Sequence, residues 1–305
     1  MTEDWENGGF GIYIHWPFCT AKCPYCDFNS HVRSNINQKQ WLKAYLNEIK
    51  RVSEKTSNRI LNSVFFGGGT PSLIEPSIIG DVLNEIQKHW KTKNNFEVTL
   101  EANPGSVDAK NFKAYKEAGV NRTSMGIQSL NTKDLKALGR THTVEEALAA
   151  FEIARQNFKA VSFDLIYARQ NQNINQWEKE LSLALSLEAS HMSLYQLTIE
   201  QGTAFGDRYN RGLLKGLPND DTSADMYDLT LSLCEDRGLV SYEVSNYAHE
   251  GYESIHNLIY WRYGDYIGIG PGAHGRLTID GKKYATETVL SPEAWLKKVE
   301  CDGSG

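Results

Sequence analysis

Short β-branched runs alternate with amphipathic stretches of helical period along most of this chain, and few architectures other than a parallel βα assembly satisfy that rhythm. Strands are expected over 11–15, 63–66, 97–101, 122–127, 161–166 and 191–197, with helices over 38–53, 77–90, 108–118, 144–157, 175–187 and 222–237. Polar or special residues gather just after each strand, where parallel barrels build their sites. After Gly238 the pattern changes to a run over 241–247, an aromatic segment over 256–263, a Gly-rich turn, and a hairpin closing at Asp280-Gly281, a dipeptide suited to a type I′ turn. A boundary is therefore placed near 240: residues 1–240 form an α/β unit and 241–305 a mostly β extension. That extension ends on a short helix over 292–299.

Composition excludes several function classes. Of the 305 residues 40% are hydrophobic, yet no apolar run reaches the ~18–20 residues that span a bilayer. The start, Met-Thr-Glu-Asp-Trp-Glu-Asn-Gly-Gly, is acidic and polar, unlike a signal or transit peptide, so a cytoplasmic address is expected. A net charge of -6 lacks the basic excess that nucleic-acid phosphates require.

The five cysteines are an odd set and no disulfide framework. Cys234 falls in a helical stretch and is expected as a small buried or half-buried residue; Cys301 is expected in a terminal loop. The other three form Cys19-Thr-Ala-Lys-Cys23-Pro-Tyr-Cys26, directly after a strand. Three thiolates suit a [4Fe-4S] cluster with one iron left open, whereas structural zinc takes four ligands. His15 or His31 can complete a zinc set, which keeps that alternative. Gly67-Gly68-Gly69-Thr70-Pro71 follows the second strand, where backbone without side chains either approaches a small polar ligand or makes a plain tight turn. Glu101 and Asp164 stand at strand ends among apolar neighbours, as ligand-binding carboxylates or as structural partners of a nearby amide or Arg. Gln128 and Arg140 fit the same mouth, Arg140 as a partner for a ligand carboxylate.

The segments Tyr13-Ile14-His15-Trp16-Pro17-Phe18-Cys19, GGGTP, LEANP, MGIQS and FDLIY, in this order, resemble the oxygen-independent coproporphyrinogen III oxidase family of radical S-adenosylmethionine (SAM) proteins, over nearly the whole chain. The resemblance implies an incomplete parallel (β/α)6 barrel of radical SAM type. It also implies a [4Fe-4S] cluster on Cys19, Cys23 and Cys26, and SAM contacts at Tyr13, Tyr25, Gly68, Gly69, Thr70, Glu101, Gln128, Arg140 and Asp164. In that family the amine and carboxylate of SAM chelate the open iron, and reduction releases a 5′-deoxyadenosyl radical. Ala168-Arg169-Gln170-Asn171 departs from the Gly-Leu-Pro-Gly of many relatives, and a last small domain is largely absent here.

Two branches of that family differ. The oxidase branch, which serves porphyrin biosynthesis, carries a fourth cysteine two positions after the third and a long N-terminal segment. Here Phe28 takes that position and twelve residues precede Tyr13. Both features, and His256-Asn257-Leu258-Ile259-Tyr260-Trp261, resemble the HemW branch of heme chaperones and its HNxxYW signature. The expected function is thus heme binding and transfer to an acceptor protein, with an electron donor as a further partner if SAM is cleaved. Radical decarboxylation of coproporphyrinogen III is the runner-up, and a zinc-stapled interaction domain the third reading. His256 is either a packed core histidine or an axial heme ligand within an aromatic segment.

Overall fold

The computed structural model describes residues 4–106 and 109–305. Among them the strands are β1 (Phe10–Trp16), β2 (Phe18–Cys19), β3 (His31–Val32), β4 (Ile60–Gly68), β5 (Lys91–Ala102), β6 (Arg122–Gln128), β7 (Ala160–Tyr167), β8 (His191–Gln196), β9 (Val240–Ser241), β10 (Asn246–Ala248), β11 (Asp265–Ile269), β12 (His274–Ile279) and β13 (Lys282–Glu287). All but β2 and β3 join one eleven-stranded sheet in the order β13-β12-β11-β1-β4-β5-β6-β7-β8-β10-β9. From β1 through β8 the neighbours are parallel and in chain order, each linked to the next by helical crossover. This is the α/β, mostly parallel radical SAM type of fold; among the described residues the sheet ends at β13 and β9.

Alternation along the strands sorts side chains to two faces. On β1, Phe10, Ile12, Ile14 and Trp16 are buried against the helices. The other face carries Gly11, Tyr13 and His15, in register with Ser63, Phe65 and Gly67 of β4. That inner row continues through Glu97, Thr99 and Glu101 to Arg122, Ser124, Ser162 and Asp164. The lumen is therefore polar, while the greasy core lies between sheet and helices.

Helices begin where side chains can accept the orphan amides. Asn37 caps Gln38–Ser53, and capping boxes at Thr143 and Asn173 start Val144–Asn157 and Ile174–Leu185. The expected helix at 108–118 is seen as Ala109–Glu117; its expected first residue, Asp108, lies outside the described residues, as do Met1 to Glu3. No helix among the described residues is long and apolar enough to cross a membrane.

The segment after 240 enters the same sheet at both edges. In place of a single run over 241–247, β9 and β10 pair antiparallel and extend β8. The aromatic segment forms the helix Ile255–Trp261, and the Gly-rich stretch contains β11, which lies parallel to β1 with Phe10 opposite Asp265. The hairpin β12–β13 turns at Asp280 (φ 51) and Gly281 (φ 74), both in the left-handed region that type I′ demands. The last helix, Pro292–Asp302, sets Trp295 against Trp41, ring centroids 5.5 Å apart, on Gln38–Ser53. Cys301 consequently stands in this helix, exposed, and not in a terminal loop. Cys234 is fully buried, as expected.

Candidate functional site

The cysteine loop leaves β1 at the carboxyl end of the sheet. Pairing of Phe18 with His31 and of Cys19 with Val32 pins it at both ends, and Cys26 N–H donates to Cys23 C=O at 3.1 Å. The Ser30 hydroxyl lies 4.0 Å from Cys26 Sγ and also bonds Cys19, as does Thr70. Burial pushes the thiols of Cys19 and Cys26 up. Among the described residues no three His, Cys, Asp or Glu side chains converge as donors to one ion. A cluster binds each thiolate to a different iron, so its ligands stand further apart than the four around a single zinc. The candidate fourth zinc ligands are engaged elsewhere. His15 Nε2 donates to Asn29 C=O at 2.9 Å and its Nδ1 accepts from the Tyr13 hydroxyl at 3.0 Å, while His31 Nε2 meets Asn29 Oδ1 at 3.1 Å.

Arg140 clamps this loop to the strand ends. Its Nη1 donates to Cys23 Sγ at 3.2 Å, and Nη2 donates to Asn103 Oδ1 at 3.0 Å and Gly126 C=O at 2.8 Å. A ligand carboxylate would thus meet a guanidinium already fixed beside the thiols. Tyr25 bonds Cys23 on the same side; burial raises its phenol. Gln128 sits past a bulge with φ 73, and its amide folds back over Gly126, where a Cβ would lie 2.8 Å away.

The glycine turn does not present spare amides. Gly68 N–H donates to Glu101 Oε2 at 3.1 Å, Gly69 N–H to Trp16 C=O at 2.6 Å and Thr70 N–H to Phe18 C=O at 2.9 Å. These bonds knit the cysteine loop to the end of β4. Glycine is needed for closeness: a Cβ on Gly69 would lie 2.6 Å from Phe18 O, and one on Gly68, at φ 112, 2.6 Å from His15 Cε1.

Glu101 and Asp164 face one another across the lumen. Desolvation, with Asp164 nearby, raises the Glu101 carboxyl to about 8. Desolvation likewise raises Asp164 to about 6, against hydrogen bonds from Ser193 and Ser124, the latter at 3.3 Å. Two raised carboxyls thus share this mouth with the thiols and with the Arg140 guanidinium, which acts on Asp164 and bonds Cys23.

A cleft of about 530 Å³ opens over this pocket. Tyr13, His15, Gly68 and Glu101 line it from the strand ends, Asp27, Phe28 and Asn29 from the cysteine loop, and Tyr260, Tyr266, His274 and Leu290 from the extension. Sequence reasoning named neither Tyr266 nor His274. The signal available was the run Gly268-Ile-Gly-Pro-Gly-Ala-His274-Gly275, which places an imidazole at the end of a turn stripped of side chains.

His256 stands behind the cleft, not in it. It is 1% exposed and stacks on Phe65, with Nδ1 bonded to Ser63 Oγ at 2.9 Å and Nε2 to Tyr260 OH at 2.7 Å. Desolvation lowers it to about 3. Both nitrogens are engaged, so His256 as placed here packs in the core with no nitrogen facing the cleft.

The fold and the thiol-lined mouth together define the class. Residues 13–184 match the radical SAM superfamily. The heme chaperone HemW of Haemophilus influenzae is 43% identical over 273 residues, covering 88% of this chain and 70% of the relative. The zebrafish (Danio rerio) protein named radical S-adenosyl methionine domain-containing protein 1, mitochondrial, is 39% identical over 299 residues, covering 96% and 67%. The solved coproporphyrinogen III oxidase HemN of Escherichia coli superposes with a TM-score of 0.82 at 20% identity, over 97% of this chain and 70% of that one. The chain belongs to the HemN-like family of radical SAM proteins, on its HemW branch.

Proposed function

We propose that this chain is a heme chaperone that holds a [4Fe-4S] cluster on Cys19, Cys23 and Cys26, binds SAM beside it, and carries heme in the cleft for transfer to an acceptor protein. The observation that carries the reading is Phe28. Where the oxidase branch has a fourth cysteine, this chain sets an aromatic ring, 56% exposed, into the cleft wall beside Leu290 and Tyr260, a lining suited to a flat apolar ligand. The donor set fits the cluster: three thiols on one pinned loop, with a guanidinium beside Cys23. When bound, the cluster supplies an iron without a protein ligand and a source of single electrons.

The chain's own residues do the rest. Arg140 fixes Cys23, the glycine turn brings bare backbone against the loop, and Tyr13, Tyr25, Thr70 and Gln128 fill out the SAM pocket. Glu101 and Asp164 are placed to accept hydrogen bonds from the N–H groups of the ligand's amine. An electron donor is a partner if SAM is cleaved. The proposal keeps a boundary near 240 and a cytoplasmic address, although the zebrafish relative carries a mitochondrial name.

Anaerobic reconstitution followed by heme titration and a coproporphyrinogen assay on one sample tests the function. Heme is expected to bind and no protoporphyrinogen IX to form, even with SAM and a strong reductant. Measurable protoporphyrinogen IX would replace the chaperone by the oxidase.

The raised carboxyls make SAM affinity pH-dependent. Glu101 is neutral below about 8 without ligand, and an amine N–H donated to it favours the charged form, so binding below that pH expels a proton. Affinity should rise by roughly tenfold per pH unit from pH 6 towards 8 and then level. Ligand-free stability moves oppositely: a carboxyl raised from 4.5 to about 8 favours folding below pH 4.5 and loses that contribution as pH climbs through 8. Glu101→Gln should flatten both profiles and weaken SAM binding without removing iron. Anaerobic calorimetry across pH measures this, and a level affinity profile in the unaltered protein would remove Glu101 from contact with the ligand's amine.

A further inference from the structure

Two histidines line the cleft and a third, His256, stands behind it; His15 and His256 are occupied. His15 has both nitrogens in hydrogen bonds to Asn29 and Tyr13, and His256 has both in bonds to Ser63 and Tyr260. His274, the first residue of β12, lines the cleft with its side chain 57% exposed. Its Nδ1 lies 3.7 Å from Glu287 Oε1, the residue directly opposite in the β12–β13 register. Among the described residues no hydrogen-bond partner is recorded for its Nε2.

That pairing has the form of a metal-binding imidazole. A histidine that binds a metal through one nitrogen usually donates the other N–H to a carboxylate, which fixes the tautomer and the ring. At 3.7 Å the Glu287 carboxylate stands on the Nδ1 side, beyond hydrogen-bond distance but within reach of a small side-chain rotation, and Nε2 is the nitrogen left for the cleft. The surroundings accept a plane. Gly272, at φ 73, lines the cleft where a Cβ would lie 2.5 Å from Asn29 Nδ2. Tyr266, Leu290 and Phe28 flank it. Asn29 Nδ2 donates to Pro271 C=O and Leu290 C=O, both at 2.9 Å, so the cysteine loop itself holds the turn that carries His274.

We propose that His274, through Nε2 and with Glu287 behind it, is the protein ligand to the iron of heme in this cleft. The inference rests on the chaperone reading and adds the coordinating residue to it. Heme bound there is coordinated from the extension's wall and faces the wall that carries Glu101. Release to an acceptor then requires one iron–nitrogen bond to break.

The test is titration of hemin into the reconstituted protein, read by difference absorption and by resonance Raman of the reduced heme. The unaltered protein should bind one heme and show an iron–histidine stretch. His274→Ala should lose that band and bind at least tenfold more weakly, and millimolar imidazole should restore the band. Glu287→Gln should keep the band at lower frequency, and His256→Ala should keep it unchanged. An unaltered band in His274→Ala, or its loss in His256→Ala alone, overturns the assignment while the chaperone reading stands. Absence of heme uptake by the unaltered protein removes both, and that arm is read without any variant.

Discussion

Alanine at Cys19, Cys23 or Cys26 should take the reconstituted protein from about four irons per chain to none. Three thiolates hold the whole cluster, so losing one removes a third of the protein's grip and opens a second iron to solvent. The neighbours supply no substitute. Ser30 and Thr70 offer hydroxyls near Cys19, His15 has both nitrogens engaged, and Arg140 presents only donors to Cys23. The same replacement at Cys234 or Cys301 should leave iron unchanged. Cys234 is buried against the sheet, with desolvation pushing its thiol up to about 12, and Cys301 is exposed on the last helix. Iron and sulfide analysis after anaerobic reconstitution decides this, with circular dichroism to show that each variant folds. A full cluster in any one of the three variants would mean the ligands are misassigned.

Much of this architecture was written locally. The helices Gln38–Ser53 and Val144–Asn157 match their expected bounds because Asn37 and Thr143 mark their starts in the sequence. The parallel strands were legible from β-branched runs, although β5 begins six residues before the expected 97: Lys91 to Asn95 are exposed and polar, and Lys91 and Thr92 pair with Ile60 and Leu61 in a way that hydrophobic pattern cannot report. Two short helices, Thr132–Ala137 and Ala204–Asn210, escaped notice, although Asn131 and Thr203 cap them as recognisably as any other.

What local pattern does not encode is who pairs with whom across the chain. β11 lies beside β1, more than 250 residues apart at Phe10 and Asp265. That pairing turns a Gly-rich stretch into the far wall of the cleft and brings His274 opposite Glu101. His256 shows the converse limit. Its aromatic neighbours suggested an open apolar site, but the same composition describes a packed interior, and only the distances to Ser63 and Tyr260 separate the two. The glycine turn likewise looked like a free cradle until its three amides were found bonded to Glu101, Trp16 and Phe18.

The wall made by the extension depends on one buried ion pair, and breaking it should give the largest loss of stability. Asp265, at the start of β11, is fully buried and takes Arg59 Nη1 at 2.5 Å, with Arg59 5% exposed. The same carboxylate accepts from the Thr278 amide and from its hydroxyl at 3.1 Å, and lies 3.4 Å from Lys283 Nζ. Arg59 also covers Trp5, 4.3 Å from the ring centre. One side chain thus joins β11, β12 and the segment that enters β4. Asp265→Ala leaves a guanidinium buried without its counter-charge and an amide without its acceptor, a loss of about 3–5 kcal/mol. For a chain of this size that lowers Tm by roughly 6–10 °C. Because the thiol loop is held separately by β2–β3 pairing and by Arg140, iron content at low temperature should persist while heme affinity falls with the loosened wall. Arg59→Met combined with Asp265→Leu removes both charges and should recover most of the lost Tm, since an apolar pair of similar volume carries no desolvation penalty. Thermal melts of the unaltered protein and these two variants, with iron and heme titrated on each, separate these terms. A single Asp265→Ala variant that melts with the unaltered protein would show that β11 is held by its strand pairing alone.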